Sequence, residues 1–569
     1  MTDVRIILHS PINDDLEHFL YPTLISARKC KVVSVLATTQ ADVEGAARIL
    51  EYLADADVHE FEINEPGEVD LSPLFDSMKK MFIHKLTVFG NWLRLHCVYP
   101  LLSLEVEKLS IAAFGVFLPE VSPPCVCNAK DIRFNLDIKE DPVRQGRAYA
   151  EVLAHAHNVE QLRFENDIRG VAVSVLCMHA FAHETLKVLL IDSKVEIDER
   201  YCDIVQQIAA KYQRLAAFKL RCYSSPAQYV YDIIRAVAEL PRLQYLHVNV
   251  TQFNDIDTSL VAAPIATTAP LRKVFLYLTY YSVLRIPLFN WLASLPYLDH
   301  LDYETEYARH VEGPVPEVVF PELKFLRLLS PVALCGLPYH AERLFSSSVL
   351  TELYLNGGWE DHLEVPQISA PIHTLNCGRT RGMPLHQITR VLKALTQPAC
   401  LKQVSLIGTW FRNIETTTDF CTTLARFTDL VLFEMDNCHG DPTFPVFTPF
   451  AAVLSTLPHL ETVVIKCYGE HEDATQAVIN LLTRLPFLSK LHTPSAAYRE
   501  LEFTNAYLHA LEQHACLSDF AMTGIGPIQS AKHITERNAH NNSHKYTPLT
   551  ATLLHSLDEF SRVASRRIK

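Results

Sequence analysis

A short apolar pattern recurs along the whole chain at intervals of 22 to 30 residues. It reads apolar-x-x-apolar-x-apolar, as at Leu243, Leu246 and Val248, and again at Leu271, Val274 and Leu276. The same frame fits Leu323, Leu326 and Leu328, and Leu350, Leu353 and Leu355. Laid end to end it gives 20 units, with first positions from Val4 and Val32 at the start to Leu517 near the end. His9 and Thr493 are its polar exceptions. Alternation of this kind is the period-two signature of a short strand with one buried face.

The intervals carry a second pattern. Pro226 to Leu240 places Val230, Ile233, Ile234, Val237 and Leu240 at helical spacing. Residues 386–397, 447–457 and 473–485 read the same way. Several of these segments end in Leu-Pro just before the next strand, as at Leu240-Pro241, Leu295-Pro296, Leu457-Pro458 and Leu485-Pro486. Proline ends a helix and pushes the residue before it towards an extended form. Each unit therefore reads strand, loop, helix, turn. Strands that each return by a helix form a parallel sheet, and units this small bury their two apolar faces only by stacking on neighbours.

This pattern resembles the leucine-rich repeat, in the helix-bearing subclass of ribonuclease inhibitor and of the repeat arrays of F-box leucine-rich-repeat proteins. The resemblance covers essentially the whole chain. It implies an α/β leucine-rich-repeat solenoid, with a curved parallel sheet on the concave face and helices on the convex face. The family's Asn or Cys ladder, eight residues after the first leucine, survives at Asn91 and Cys438. Residues 1–535 are read as the solenoid, 536–548 as a polar loop and 549–569 as a C-terminal capping helix. Segments 304–321 and 361–371 are poor helix candidates, readable as bends or as loops entering the concavity.

Three of the four tryptophans follow a glycine by two positions: Trp92, Trp359 and Trp410. All three fall nine residues after the first apolar position of their unit. The glycine sits where the chain leaves the strand, a place that often needs a left-handed residue. The indoles either fill the volume of a missing helix or form a row of rim aromatics for a partner.

Searches for chemistry return little. There is no phosphate-binding P-loop, no Gly-x-Ser-x-Gly elbow and no His-Glu-x-x-His. His179 and His183 are four residues apart on an expected helix, and Cys125 and Cys127 form a lone CxC. Neither brings a second pair at metal-binding spacing, so no metal and no cofactor is expected. A net charge of −14 argues against a broad nucleic-acid surface. No apolar run reaches the length of a membrane span. The 14 scattered cysteines read as reduced thiols of a cytoplasmic or nuclear protein.

The informative surface is the set of interleaved strand positions, which face away from the helices. In the middle units it includes Tyr245, His247, Lys273, Phe275, Tyr277, Asp302, Glu304, Phe325, Arg327 and Tyr354. Aromatics mixed with Arg and acids match the composition of protein-interface hot spots. The expectation is a non-catalytic scaffold that binds a protein partner there. The resemblance to F-box relatives implies a more specific role as substrate receptor in a ubiquitin-ligase-like complex, although no F-box is recognised before the strand at Val4. A small-ligand sensor using Phe275, Tyr277 and Arg327, with 304–321 as a lid, is the alternative; a GTPase regulator is the weaker one.

Overall fold

The computed structural model describes residues 4–9, 29–65, 69–90, 101, 103–113, 126–136, 141–179, 184–253, 265–266, 268–278, 285–305, 320, 322–328, 344–357, 364–378, 382–411, 413–440, 447–468, 475–493, 509–510, 513–522 and 526–527. They fall into two compact units, Met1–Leu326 and Arg327–Lys569. The division falls within the strand Phe325–Leu328.

A strand runs through each of the twenty frames. In the first unit, twelve strands from Val4–His9 to His300–Thr305 pair in chain order, every pair parallel. In the second, Glu352–Leu355, Thr374–Cys377, Gln403–Ile407, Leu432–Gly440, Thr462–Tyr468, Lys490–Thr493 and Asp519–Met522 do the same. The register advances one repeat per strand, so equivalent positions stand side by side: Lys219, His247, Phe275 and Asp302 form one row across four strands. Each unit is an α/β solenoid of the leucine-rich-repeat type, with one sheet face covered by helices and the other open.

The frame explains the core. Leu243, Leu246 and Val248 are fully buried, as are Leu350 and Leu353. Cutting such a side chain back to alanine costs about 2–5 kcal/mol, because the stacked neighbours close only part of the cavity. The frame is out of phase in the first strand and displaced by two residues in the second, where Val35 and Ala37 are still buried. Ile7 is 55% exposed while Ile6 and Leu8 are buried. Val32 is half-buried while Cys30, Val33 and Val35 are buried. Both strands are apolar on both faces, so periodicity alone does not select the inward set.

Helices occupy the intervals where the apolar spacing predicts them. Ala227–Ala238 buries Val230, Ile233, Ile234 and Val237, one stripe at i, i+3, i+4 and i+7. Leu385–Ala394, Phe447–Leu454 and Thr475–Arg484 fill the other three expected segments. Their starts are chemically marked. Thr39 and Asp42 form a capping box on Gln40–Leu50. Asp198 and Asn413 accept from the backbone N–H groups of Tyr201 and Thr416. Asp167, itself fully buried, accepts from Val171 N at 2.9 Å and Ala172 N at 3.0 Å.

The sparse polar ladder is real where it is described. Cys438 is buried, and its thiol donates to the Leu406 carbonyl of the preceding repeat at 3.6 Å. Ser193 does the same job towards Asp167 O at 3.2 Å. Both bonds tie a side chain to a backbone carbonyl of the preceding repeat, and the Asp167 carbonyl also accepts from Lys194 N at 2.6 Å. Asn91, the first 25 or so residues apart from the strand at Val4–His9, and the expected loop and cap over 536–569 lie outside the described residues.

Candidate functional site

The open face of the first unit carries a stacked cluster of rings. Tyr245, His247, Phe275, Tyr277, His300 and Phe325 are each half-buried. Tyr245 and Phe275 have ring centroids 5.1 Å apart, and His247 stacks on Phe275 at 5.6 Å with an interplanar angle of 16°. Tyr277 lies 5.3 Å from His247. Phe275 meets His300 at 4.9 Å, and His300 stacks on Phe325 at 3.8 Å and 4°. Parallel strands place such rings about 4.8 Å apart, so a row of aromatics on one face stacks almost by construction. Lys273, in register with Tyr245 and His300, is exposed at the surface of this cluster.

Asp302 does not face a partner. It is fully buried and accepts a hydrogen bond from the Tyr277 hydroxyl at 2.7 Å. Burying a carboxylate is costly, and a charge-assisted bond from a neighbouring strand offsets part of that cost. Asp302, expected from the sequence as an exposed contact, is buried here and holds the Tyr277 hydroxyl. Glu304 pairs in register with Tyr277; its side chain lies outside the described residues. In the second unit Arg327 stands over the Tyr354 ring at 6.0 Å, at the edge of cation–π range.

The electrostatics beside the rings are positive. Burial, and then Lys219 and Arg221, push His247 down to about 3, so the ring stays neutral. Burial is also the larger cause that pulls the Lys219 ammonium below its ordinary value, with Asp192 acting in the opposite sense. Tyr245 is raised by burial, with a smaller contribution from Asp302. Lys219 and Arg221 went unnoticed among the candidate residues. The signal was present: they occupy the same interleaved phase as His247 and Asn249, one repeat earlier.

Of the three rim tryptophans, Trp92 and Trp359 lie outside the described residues. Trp410 is 54% exposed, and its indole edge rests over Gly382, where a Cβ would meet Nε1 at 2.5 Å. The short strand Trp410–Phe411 pairs with His439 and Gly440. The glycines that precede two of the tryptophans, Gly357 and Gly408, have φ of +100° and +68°, which explains why glycine stands there.

Other sites offer less. A groove of about 370 Å³ on the helix side is lined by Glu44, Arg48, Glu51, Asp76 and Lys80 among others. Its charges are partly closed on themselves through Lys80 and Glu51 at 3.2 Å. Among the described residues no group of three or more His, Cys, Asp or Glu side chains is arranged to hold a metal ion, and no helix is long and apolar enough to cross a membrane. Cys127 is buried, whereas Cys125, His183 and the His179 side chain lie outside the described residues.

No protein-family model matches the chain, and no curated protein matches it. Solved structures do. An internalin from Listeria monocytogenes is similar at 13% identity and a TM-score of 0.26, over 79% of this chain and 89% of that one. A chain of the Toll–Spatzle complex of Drosophila is similar at 11% identity and a TM-score of 0.34, over 82% of this chain and 57% of that one. Scores this low carry no argument about function, and the fold assignment stands on the strand register and helix placement described above.

Proposed function

We propose that the chain is a non-catalytic scaffold that binds a protein partner on the open sheet face of its first unit. The observation that supports this most is the stacked cluster of Tyr245, His247, Phe275 and Tyr277, half-buried on a face that no helix among the described residues covers. Large rings held rigid by their neighbours lose little entropy when a partner covers them, which is why aromatics dominate binding energy at interfaces. Lys273 and the Lys219–Arg221 stretch beside them supply the polar rim that gives such a surface specificity.

The test is affinity purification of the tagged chain from its source cells beside the double variant Phe275→Ala/Tyr245→Ala, with mass spectrometry of what is retained. A partner kept by the native chain and lost by the folded variant supports the reading. Identical retention by both removes it. The narrower form, a substrate receptor in a ubiquitin-ligase-like complex, is supported by the repeat resemblance alone. Co-purification of a cullin with its adaptor is the result that supports it.

A further inference from the structure

The four strands that precede the aromatic cluster carry an uneven set of charges on the same open face. Arg133 pairs with Glu165. Arg163 pairs with Asp131 at 3.4 Å and also donates to Gln161 at 2.8 Å. Arg221 pairs with Asp192 at 3.5 Å. The strand positions 131–135, 161–165, 188–192 and 217–221 thus hold four cations and three carboxylates on this face, and every carboxylate already has a guanidinium. Lys219 is the cation left over. It has no ion pair or hydrogen bond among the described residues, is half-buried, and stands in register between Leu190 and His247.

This excess is local. The chain as a whole carries −14, so a positive spot on an open face runs against its average. Lys219 is half-buried and in register with His247, and after burial Lys219 and Arg221 help to keep that ring neutral. A half-desolvated ammonium with no direct ion pair gains more from an incoming anion than an exposed one does. One repeat beyond Lys219 the surface changes character to the flat His247–Phe275 stack.

Resting on the open-face reading above, we propose that the first unit recognises a peptide segment bearing a carboxylate side chain and an aromatic or large apolar side chain about 10 Å away, the carboxylate on Lys219 and the apolar group on Phe275. The separation is two strand spacings, since Lys219 and Phe275 flank the His247 strand. A carboxylate fits better than a phosphate group. Phosphate recognition draws on guanidinium forks, and among the described residues of these four strands Arg133, Arg163 and Arg221 each already contact a carboxylate.

The experiment pans a phage-displayed random dodecapeptide library on the full chain and measures the enriched peptides against Lys219→Met, Lys219→Arg and Phe275→Ala, each checked for a native thermal melt. The expected result is enrichment of Asp or Glu with an aromatic or large apolar partner at a spacing that spans about 10 Å. Lys219→Met then weakens binding at least tenfold, Lys219→Arg retains most of it, and Phe275→Ala abolishes it. Peptides that depend on Phe275 but lack an acid, or are indifferent to Lys219→Met, overturn the carboxylate inference and leave the open-face reading standing. Peptides indifferent to both positions, or no enrichment at all, overturn both.

Discussion

The Tyr277 hydroxyl donates to the buried Asp302 carboxylate at 2.7 Å, and this one bond links the exposed aromatic face to the interior of the sheet. Tyr277 is therefore part of the support as well as part of the surface. Tyr277→Phe removes the donor and leaves a buried carboxylate less well satisfied, at a cost of about 1–3 kcal/mol. In a double-mutant cycle with Asp302→Ala the combined loss is expected to be smaller than the sum of the two single losses, because both variants break the same bond. Urea denaturation of the four proteins reads the coupling directly.

Acid is expected to destabilise the first unit through His247. Its folded-state value lies near 3, below the ordinary histidine value of 6.5. Between those values the unfolded chain takes up a proton that the folded chain does not. Stability from this group is complete above about pH 6.5 and falls as pH drops towards 3, by at most about 1.4 kcal/mol per pH unit. His247→Gln should flatten that part of the stability–pH curve. Equilibrium denaturation at a series of pH values between 7 and 4 checks it.

Gly382→Ala is expected to damage the second unit. Gly382 sits at φ +61°, and an added Cβ would overlap the Gly408 carbonyl and approach Trp410 Nε1 at 2.5 Å. The left-handed conformation alone costs about 1–2 kcal/mol in a non-glycine residue, and the overlap adds to it. Gly170→Ala is the control: its φ is +76°, but nothing lies within 4 Å of the added atom, so only the conformational cost applies. Thermal melts of both variants, with tryptophan fluorescence followed at the same time, separate the two effects.

Thiol chemistry should follow burial. Burial raises Cys222 and Cys421 to about 12 and Cys202 to about 11, and drives Cys377 higher still. Cys177 is exposed. In native buffer at pH 7.5, Cys177 is expected to alkylate first among these five, with Cys222 and Cys377 modified only after unfolding, because the thiolate is the reactive form. Mass spectrometry of a time course of iodoacetamide labelling gives the order.

Much of the fold could be read from residue order because the repeat imposes the same requirement twenty times. Leu243, Leu246 and Val248 say strand, Val230 through Val237 say helix, and both are found. The phase fails at Val4 and the frame slips by two residues at Val32, where apolar residues on both faces remove the information that alternation carries. The site was less legible. Strand periodicity places Asp302 on the open face, yet it cannot show that the side chain is buried and bonded to Tyr277. Nor can it show that three guanidiniums consume every nearby carboxylate and leave Lys219 alone, since those pairs form between residues 29 to 32 apart in sequence.

Site-specific photocrosslinking distinguishes a partner-binding open face on the first unit from a solvated one. A photoreactive benzoylphenylalanine replaces Lys273, exposed among the rings, and in a second protein replaces Arg235 on the helix side. Both are irradiated in source-cell extract. The account predicts one discrete protein adduct from position 273, none of it from position 235, and its disappearance when Phe275→Ala is added. A discrete adduct from position 235 with none from position 273 would contradict it.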